Sequence, residues 1–461
     1  MHRPIRHHVL MADISKPIDV AIIGAGVSGL MAARVLAQAG KRVAIVEARD
    51  RVGGRTLGGE IAGLSVDLGG QWVGPGQTRI LSLIGELGLT TFPQHHVGRH
   101  ILDLAGRITS YKGLVPRLPL PALVGMFLSL KRINRAARRL PKDAAWEARD
   151  AAELDSMTAE GGLNRLSRNP ATRAILDIAT RAVWSGEPRD LSWLWFLAYV
   201  RAAGSIEALT DVKGAAQQDR VSGGAWQVAA RLADQMPAGT IITNAPVRRV
   251  ERDGDMLRIV HGRGVTLARK VVVAIAPALT ANINWQHPLV SRRAGLATGM
   301  PMGKVIKAVL AYDRPFWRHA GYSGQAVSDG APFGPIFDAC LPGSSLGLLV
   351  GFFEADAAAE MGPLGPQARK AAAHACVKKW FGVGTPDPID YAEHDWIADP
   401  WSQGCYVGLA QPGVVTALGP SLRAPVDGLH WAGTETARQW IGYIDGAVEA
   451  GERAAAEILR A

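Results

Sequence analysis

Residues 20–29 read Val20-Ala21-Ile22-Ile23-Gly24-Ala25-Gly26-Val27-Ser28-Gly29, and further on Val43-Ala44-Ile45-Val46 runs into Glu47. An apolar run of strand length stops at a glycine, gives way to the helical spacing of Leu30, Ala33 and Leu36, and returns as a second strand closed by an acid. Gly24 makes the sharp turn, Gly26 lets the backbone approach a pyrophosphate, and Gly29 lets the helix pack closely on the strand. The N–H groups at the helix start face the phosphates, and the helix dipole adds attraction for negative charge. Glu47 stands where it can accept hydrogen bonds from ribose hydroxyls. Such a unit holds a dinucleotide; a glycine-rich turn without a ligand is the competing reading.

The next residues decide which dinucleotide. Ala48, Arg49, Arg51, Gly53, Gly54 and Arg55 put cationic forks and pliant backbone beside the same pyrophosphate. A nicotinamide enzyme has no need of them there, so FAD is favoured over NAD.

At 461 residues the chain exceeds the usual limit of a single core, and two interleaved domains are expected. An apolar content of 48% with 20% charged residues excludes a disordered chain. The formal charge of +10 would attract anions, but the basic residues are dispersed apart from Lys131, Arg132, Arg135, Arg138 and Arg139. That cluster reads as a solvated helix face rather than a nucleic-acid or membrane-surface patch. Cys340, Cys376 and Cys405 make no disulfide framework, and no metal-ligand spacing is visible. The start, with Arg3, Arg6, His7 and His8, lacks an apolar run of signal-peptide length, and Met11 offers an alternative start. The longest apolar stretches, 118–130 and 191–200, are too short to span a bilayer, and no tail anchor follows the last amphipathic helix. A soluble, cytoplasmic protein is expected.

Along the chain, 66–72 reads as a strand entering a glycine turn and 80–87 as a helix, and 92–218 is mostly helical. Short strands return at 241–242, 247–250 and 271–276, which suggests re-entry into the cofactor domain. Residues 304–312 alternate as a half-buried strand, 346–354 form another, and 367–380 a helix. The final unit, 431–435 followed by 442–446 and a helix over 447–459, offers a second anion-facing helix start.

From Asp19 to Arg460 the chain resembles the flavin-dependent monoamine oxidases, within the wider amine oxidase superfamily of flavoproteins. The resemblance is carried by Asp67-Leu68-Gly69-Gly70 with Val73-Gly74-Pro75, Leu194-Trp195-Phe196-Leu197, Gly223-Gly224, and Pro301-Met302-Gly303 with Val305-Ile306-Lys307. It continues through 402–406, Ala432-Gly433-Thr434-Glu435, and Gly442-Tyr443 followed by 446–453. It implies an α/β fold: an FAD-binding, Rossmann-like three-layer domain (17–91, 220–284 and 397–461) interleaved with an α+β substrate-binding domain with a mixed sheet (92–219 and 285–396).

It also implies residue roles. Tyr406 and Tyr443 match an aromatic cage, roughly parallel rings that hold the amine between their faces and tolerate an ammonium on entry. Lys307 matches the lysine that binds a water next to flavin N5, where a cation favours the reduced ring and its reaction with oxygen; its bland reading is a solvent-facing lysine. Cys405 occupies the position whose sulfur bonds the flavin 8α carbon in the animal enzymes. Several microbial relatives bind the flavin without that bond, so covalent and non-covalent attachment both stay open. Ser28, Gly70, Gln71, Trp72 and Ile444 join the cofactor set. Trp396 packs beside the flavin, Val247 contacts the adenine through its backbone, and Gly433, Thr434 and Glu435 precede the last helix, where backbone N–H groups meet the pyrophosphate.

By the same resemblance Val183, Thr210, Gln217, Val327, Pro335, Phe337 and Phe352 line the substrate pocket, with Gln217 orienting the amine. No carboxylate stands among them for a polyamine's distal cation, and no cation for an amino acid's carboxylate. A hydrophobic aryl- or alkylamine is expected, since each buried CH2 contributes about 0.8 kcal/mol. Pro335 and Val183 depart from the bulkier gating and cysteine residues of the animal enzymes, so their selectivity does not transfer.

The expected reaction is oxidation of a primary or secondary amine to an imine, hydrolysed to aldehyde or ketone, with O2 reduced to H2O2. The expected partners are a small-molecule amine and O2, with no nucleic acid and no membrane anchor, and a homodimer is compatible with the chain. One alternative is a dehydrogenase of the same fold passing electrons to a protein acceptor, and another is a demethylase or binding protein associated with nucleic acid.

Overall fold

Strand β1 (Ile18–Ile23) has parallel neighbours on both sides, which is why it reads as a continuous apolar run rather than an alternating one. Val20 to Ile23 pair with Val43 to Val46 of strand β2 (Val43–Val46), and Ile18 to Ile23 with Ala268 to Val273. Between β1 and β2 runs helix α1 (Val27–Gln38), whose Leu30, Ala33 and Leu36 are buried against the sheet. The computed structural model describes residues 18–113, 115–286 and 291–460, so the readings at Arg3, Arg6, His7, His8 and Met11 lie outside it.

The strand Gly264–Val273 does two jobs. Its first half pairs antiparallel with Met256–His261, while Val271 to Val273 lie parallel to Leu429–Trp431 at the far end of the chain. One sheet thus gathers strands from 18–46, 241–286 and 429–431. The last helix, Ile444–Arg460, packs in the same core as α1.

A second sheet runs in the order Asp390–Asp395, Val305–Tyr312, Gly347–Glu354, Ile336–Asp338, Tyr322–Ser328, Arg99–Leu104 and Arg107–Tyr111. Two expectations are corrected here. The largely helical stretch 92–218 contains the hairpin Arg99–Leu104/Arg107–Tyr111, held by parallel pairing of Arg99–Leu104 with Tyr322–Ser328. The strand over 304–312 is not half-buried: all eight residues of Val305–Tyr312 are buried. One face, with Ile306, Ala308 and Leu310, meets the helix Gly365–Phe381; the other, with Val305, Val309 and Ala311, packs with Phe352, Trp396 and Cys405. Lys307 belongs by alternation to this second face.

Four helices close the other side. Leu120–Arg139, Ala159–Leu166, Pro170–Trp184 and Trp193–Ala203 share a core that includes Trp184, Trp193 and Phe196. The last three have side-chain caps: Thr158, Asn169 and Ser192 accept from the N–H groups of Gly161, Thr172 and Trp195.

Candidate active site

The glycine turn is built as the chemistry requires. Gly24 has φ of +102°, and a Cβ on Gly29 would lie 2.0 Å from the Gly24 carbonyl oxygen, so helix and strand touch there. A Cβ on Gly26 would meet nothing within 4 Å, because that residue opens on a channel of about 190 Å³. Ser28, Glu47, Ala48, Arg49, Gly54 and Arg55 line the channel, together with Val247, Gly433 and Thr434. Buried Glu47 accepts from the N–H of Ala25 through Oε2 (2.7 Å) and of Arg49 through Oε1 (2.8 Å). Each oxygen keeps a second acceptor site, enough for two ribose hydroxyls. Ser28 Oγ accepts from the Gly433 N–H at 2.9 Å and ties the turn to the last strand's exit.

The arginines after Glu47 are each anchored to protein acceptors, and Arg49 and Arg55 border the channel. Arg49 donates to Asp399 Oδ1 (2.8 Å) and Ser402 Oγ (2.7 Å), and Arg51 to the carbonyls of Val52, Gly54 and Thr56. Arg55 donates to both oxygens of Glu435 (2.6 and 3.0 Å) and to the Tyr406 carbonyl (2.9 Å). A guanidinium has five N–H donors, and nearby protein acceptors engage several on each of these arginines. Burial works against the Arg55 charge, but Glu435 outweighs it and the group stays ionised. Glu435 is therefore a strut that fixes Arg55, and through it the backbone at Tyr406.

The channel meets a larger chamber of about 920 Å³ at Gly70, Tyr406, Gly442, Tyr443 and Ile444, which border both. Gln71, Trp72 and Lys307 line the chamber beside this junction. Lys307 Nζ is buried, donates to the Gly69 carbonyl (2.8 Å) and Gln71 Oε1 (2.5 Å), and lies 5.9 Å from the ring centroids of both Trp72 and Phe352. Burial pushes its ammonium well below the ordinary lysine range, with the Asp67 carboxylate pulling the other way. Gln71 Nε2 is a buried donor without a protein partner among the described residues.

Tyr406 donates its O–H to Glu354 Oε1 at 3.0 Å, and its ring meets Phe352 edge-on at 5.9 Å. Tyr443 packs edge-on to Trp440 at 5.3 Å, and its carbonyl accepts from Thr434 Oγ1. Burial raises both phenols, and Glu354 raises Tyr406 further, so both stay neutral. Glu354, itself pushed well up by burial, has no counterpart in the sequence reading. The signal for it was an acid ending the apolar run 347–353, directly after Phe353.

Cys405 borders the channel next to Tyr406, and burial pushes its thiol up to about 12. Trp396 lies in the core cluster with Cys405, donating Nε1–H to the Leu68 carbonyl (3.1 Å), and borders neither cavity.

The structure brings Val183, Thr210, Gln217, Val327, Pro335, Phe337 and Phe352 together around the chamber. Gln217 Nε2–H is committed to the Leu209 carbonyl at 3.0 Å, leaving a buried Oε1 without a partner. The expectation of an uncharged wall is corrected: Asp211, Lys112 and Lys213 also line the chamber, the two lysines at its exposed rim. They follow a hairpin and a short helix whose placement is long-range, so no motif marked them. Burial, with Glu207 nearby, raises the Asp211 carboxyl to about 6.

Residues 27–459 match the family model of flavin containing amine oxidoreductases. The chain belongs to that family. A Mycobacterium tuberculosis sequence named for a flavin-containing monoamine oxidase, AofH, is 41% identical over 441 residues, covering 96% of each chain. Human flavin-containing amine oxidase B is 34% identical, covering 97% of this chain and 87% of its own. Among solved structures, a cyclohexylamine oxidase from Brevibacterium oxydans superposes with a TM-score of 0.91 at 32% identity, over 96% of this chain and 99% of that one. A putrescine oxidase bound to putrescine does so with a TM-score of 0.91 at 31% identity, over 97% of this chain and 100% of that one.

This amine oxidoreductase is an FAD-dependent enzyme acting on small-molecule amines, as its family is. The residues present fit the cofactor: an open flank at Gly26, spare acceptor sites on Glu47 and an unpartnered amide donor at Gln71 follow one another from channel to chamber. Among the described residues no helix is long and apolar enough to cross a membrane, and no cluster of His, Cys, Asp and Glu could hold a metal ion.

Proposed function

We propose that the enzyme oxidises hydrophobic primary or secondary amines to imines, which hydrolyse to aldehydes or ketones, with O2 as the acceptor and H2O2 as its product. The observation that carries this reading is the chamber itself: about 920 Å³, largely apolar, and bounded at its inner end by two neutral phenols and a buried lysine. Bound FAD supplies the two-electron acceptor for the C–N bond and returns the electrons to oxygen. The chain supplies orientation and a dry site. Tyr406 and Tyr443 form the cage that receives the amine, Glu354 holds the Tyr406 ring through its hydroxyl, and Phe352 and Phe337 pack the substrate's apolar part. A desolvating wall disfavours ammonium over neutral amine. Lys307 holds its Nζ–H donors at the inner wall, positioned by Gly69 and Gln71.

We assign 17–91, 220–284 and 397–461 to the FAD-binding domain and 92–219 and 285–396 to the substrate domain; the membership of the two large sheets supports this division, apart from the strand Asn284–Gln286, which keeps to the first sheet beyond the 284 boundary. We further propose that Cys405 carries the flavin through a thioether, a reading supported by its place in the channel wall next to Tyr406, which borders both cavities.

An amine panel followed by peroxide release tests the reaction. Peroxide formed in step with aldehyde or ketone is the expected result. Reduction of added cytochrome without peroxide would select the dehydrogenase of the same fold instead.

A further inference from the structure

The helix Leu120–Arg139 has two unlike faces. Met126, Leu130 and Ile133 face inward and line the chamber. On the opposite face Leu120, Val124, Phe127 and Leu128 follow the i, i+4, i+7, i+8 spacing of one side of a helix, and with Val115 just before it they are between 43% and 73% exposed. These five make up a large part of the exposed large hydrophobic side chains among the described residues, gathered within one short stretch. Such a patch marks an interaction site. The same outward face continues into Lys131, Arg132, Arg135, Arg138 and Arg139, all exposed, and the helix carries no acid. None of the five forms an ion pair among the described residues, and Lys131 Nζ lies 4.3 Å from the Phe127 ring centroid. Lys112 and Lys213 add positive charge at the rim of the chamber beside it.

We infer that this face docks on an anionic lipid surface, its apolar first half entering the bilayer interface and its basic second half lying among the phosphates. The dimensions agree: Leu120 to Leu128 spans roughly 12 Å of helix, enough to reach the acyl boundary when tilted, and the first cation follows one turn later. Charge decides between occupants. A second copy would bring two acid-free basic stripes together, and a nucleic acid would leave the apolar half uncovered, whereas an anionic bilayer complements both halves. The reading departs from that of a merely solvated face. It also places the chamber's mouth next to a membrane, where apolar amines concentrate.

Co-sedimentation of the purified holoenzyme with phosphatidylcholine vesicles, with and without phosphatidylserine, tests the inference independently of any activity. The enzyme should pellet with the anionic vesicles, less at raised salt, and weakly with the neutral ones. The double variant Phe127→Glu/Leu128→Glu should lower that partition at least about tenfold, while amine oxidation in vesicle-free buffer stays unchanged. Three results would each overturn it: wild type left in the supernatant with anionic vesicles at low salt, a variant that pellets like wild type, or a wild-type dimer that the variant splits, which would make the face a self-interface.

Discussion

Lys307 shows what a single residue owes to its strand. Alternation puts it on the face of Val305 and Val309, readable from sequence, but that this face is covered depends on Trp396 and Cys405, which arrive from about a hundred residues away. With two fixed acceptors, Nζ is held at the inner wall of the chamber. Lys307→Met should slow flavin reoxidation by O2 by at least about tenfold, with a smaller effect on reduction by amine; stopped-flow traces of the two half-reactions separate these. At Tyr406 the hydroxyl matters as much as the ring. Tyr406→Phe leaves the Glu354 carboxyl buried without its donor and should cost about 1–3 kcal/mol of stability, seen as a lower Tm. Asp211 gives a pH signature. Its carboxyl, raised to about 6, is neutral below that value and anionic above it, so KM for a cationic amine should fall as pH rises through this range. Asp211→Asn should flatten that step and leave kcat alone. Cys405 is decided by acid denaturation: yellow colour in the protein pellet fits a thioether, and colour released to the supernatant removes it.

Among elements, the unit β1–α1–β2 was legible because its signals are local: a buried parallel strand, glycines where the turn and the helix contact demand them, and an acid at the second strand's end. Gly29 is the tightest point. Gly29→Ala must push α1 off β1, and overpacking of this kind costs about 1–3 kcal/mol; the flavin-to-protein absorbance ratio after gel filtration should drop along with Tm. The hairpin over Arg99–Leu104 and Arg107–Tyr111 was hidden for the opposite reason. Its turn uses Ala105 and Gly106, both at positive φ, where Asn or Asp before Gly is the usual marker, and its stability comes from Tyr322–Ser328, far along the chain. The arginines after Glu47 were legible as a cluster, but their partners Asp399 and Glu435 were not, because ion pairs across 350 and 380 residues leave no local pattern.

At the scale of the molecule, the interleaving of the two large sheets is what assembles the site. Gly24 and Glu47 come from the start of the chain, Lys307 from the second sheet, and Tyr406 and Tyr443 from the end, and they meet around two connected cavities. The largely apolar wall of the larger one disfavours ammonium, so kcat/KM should rise with pH toward the substrate amine's own pKa and then level off; a flat profile from neutral to alkaline pH would contradict a neutral-amine route. The central claim is that an amine held at Tyr406 and Tyr443 gives its electrons to FAD bound in the adjoining channel. Anaerobic mixing of the purified enzyme with benzylamine, cyclohexylamine and longer alkylamines tests it most directly. The visible flavin band should bleach at a rate that saturates with at least one of these amines and slows when either tyrosine is replaced by alanine. A band that stays oxidised with all of them, or bleaches equally fast in both variants, would contradict it.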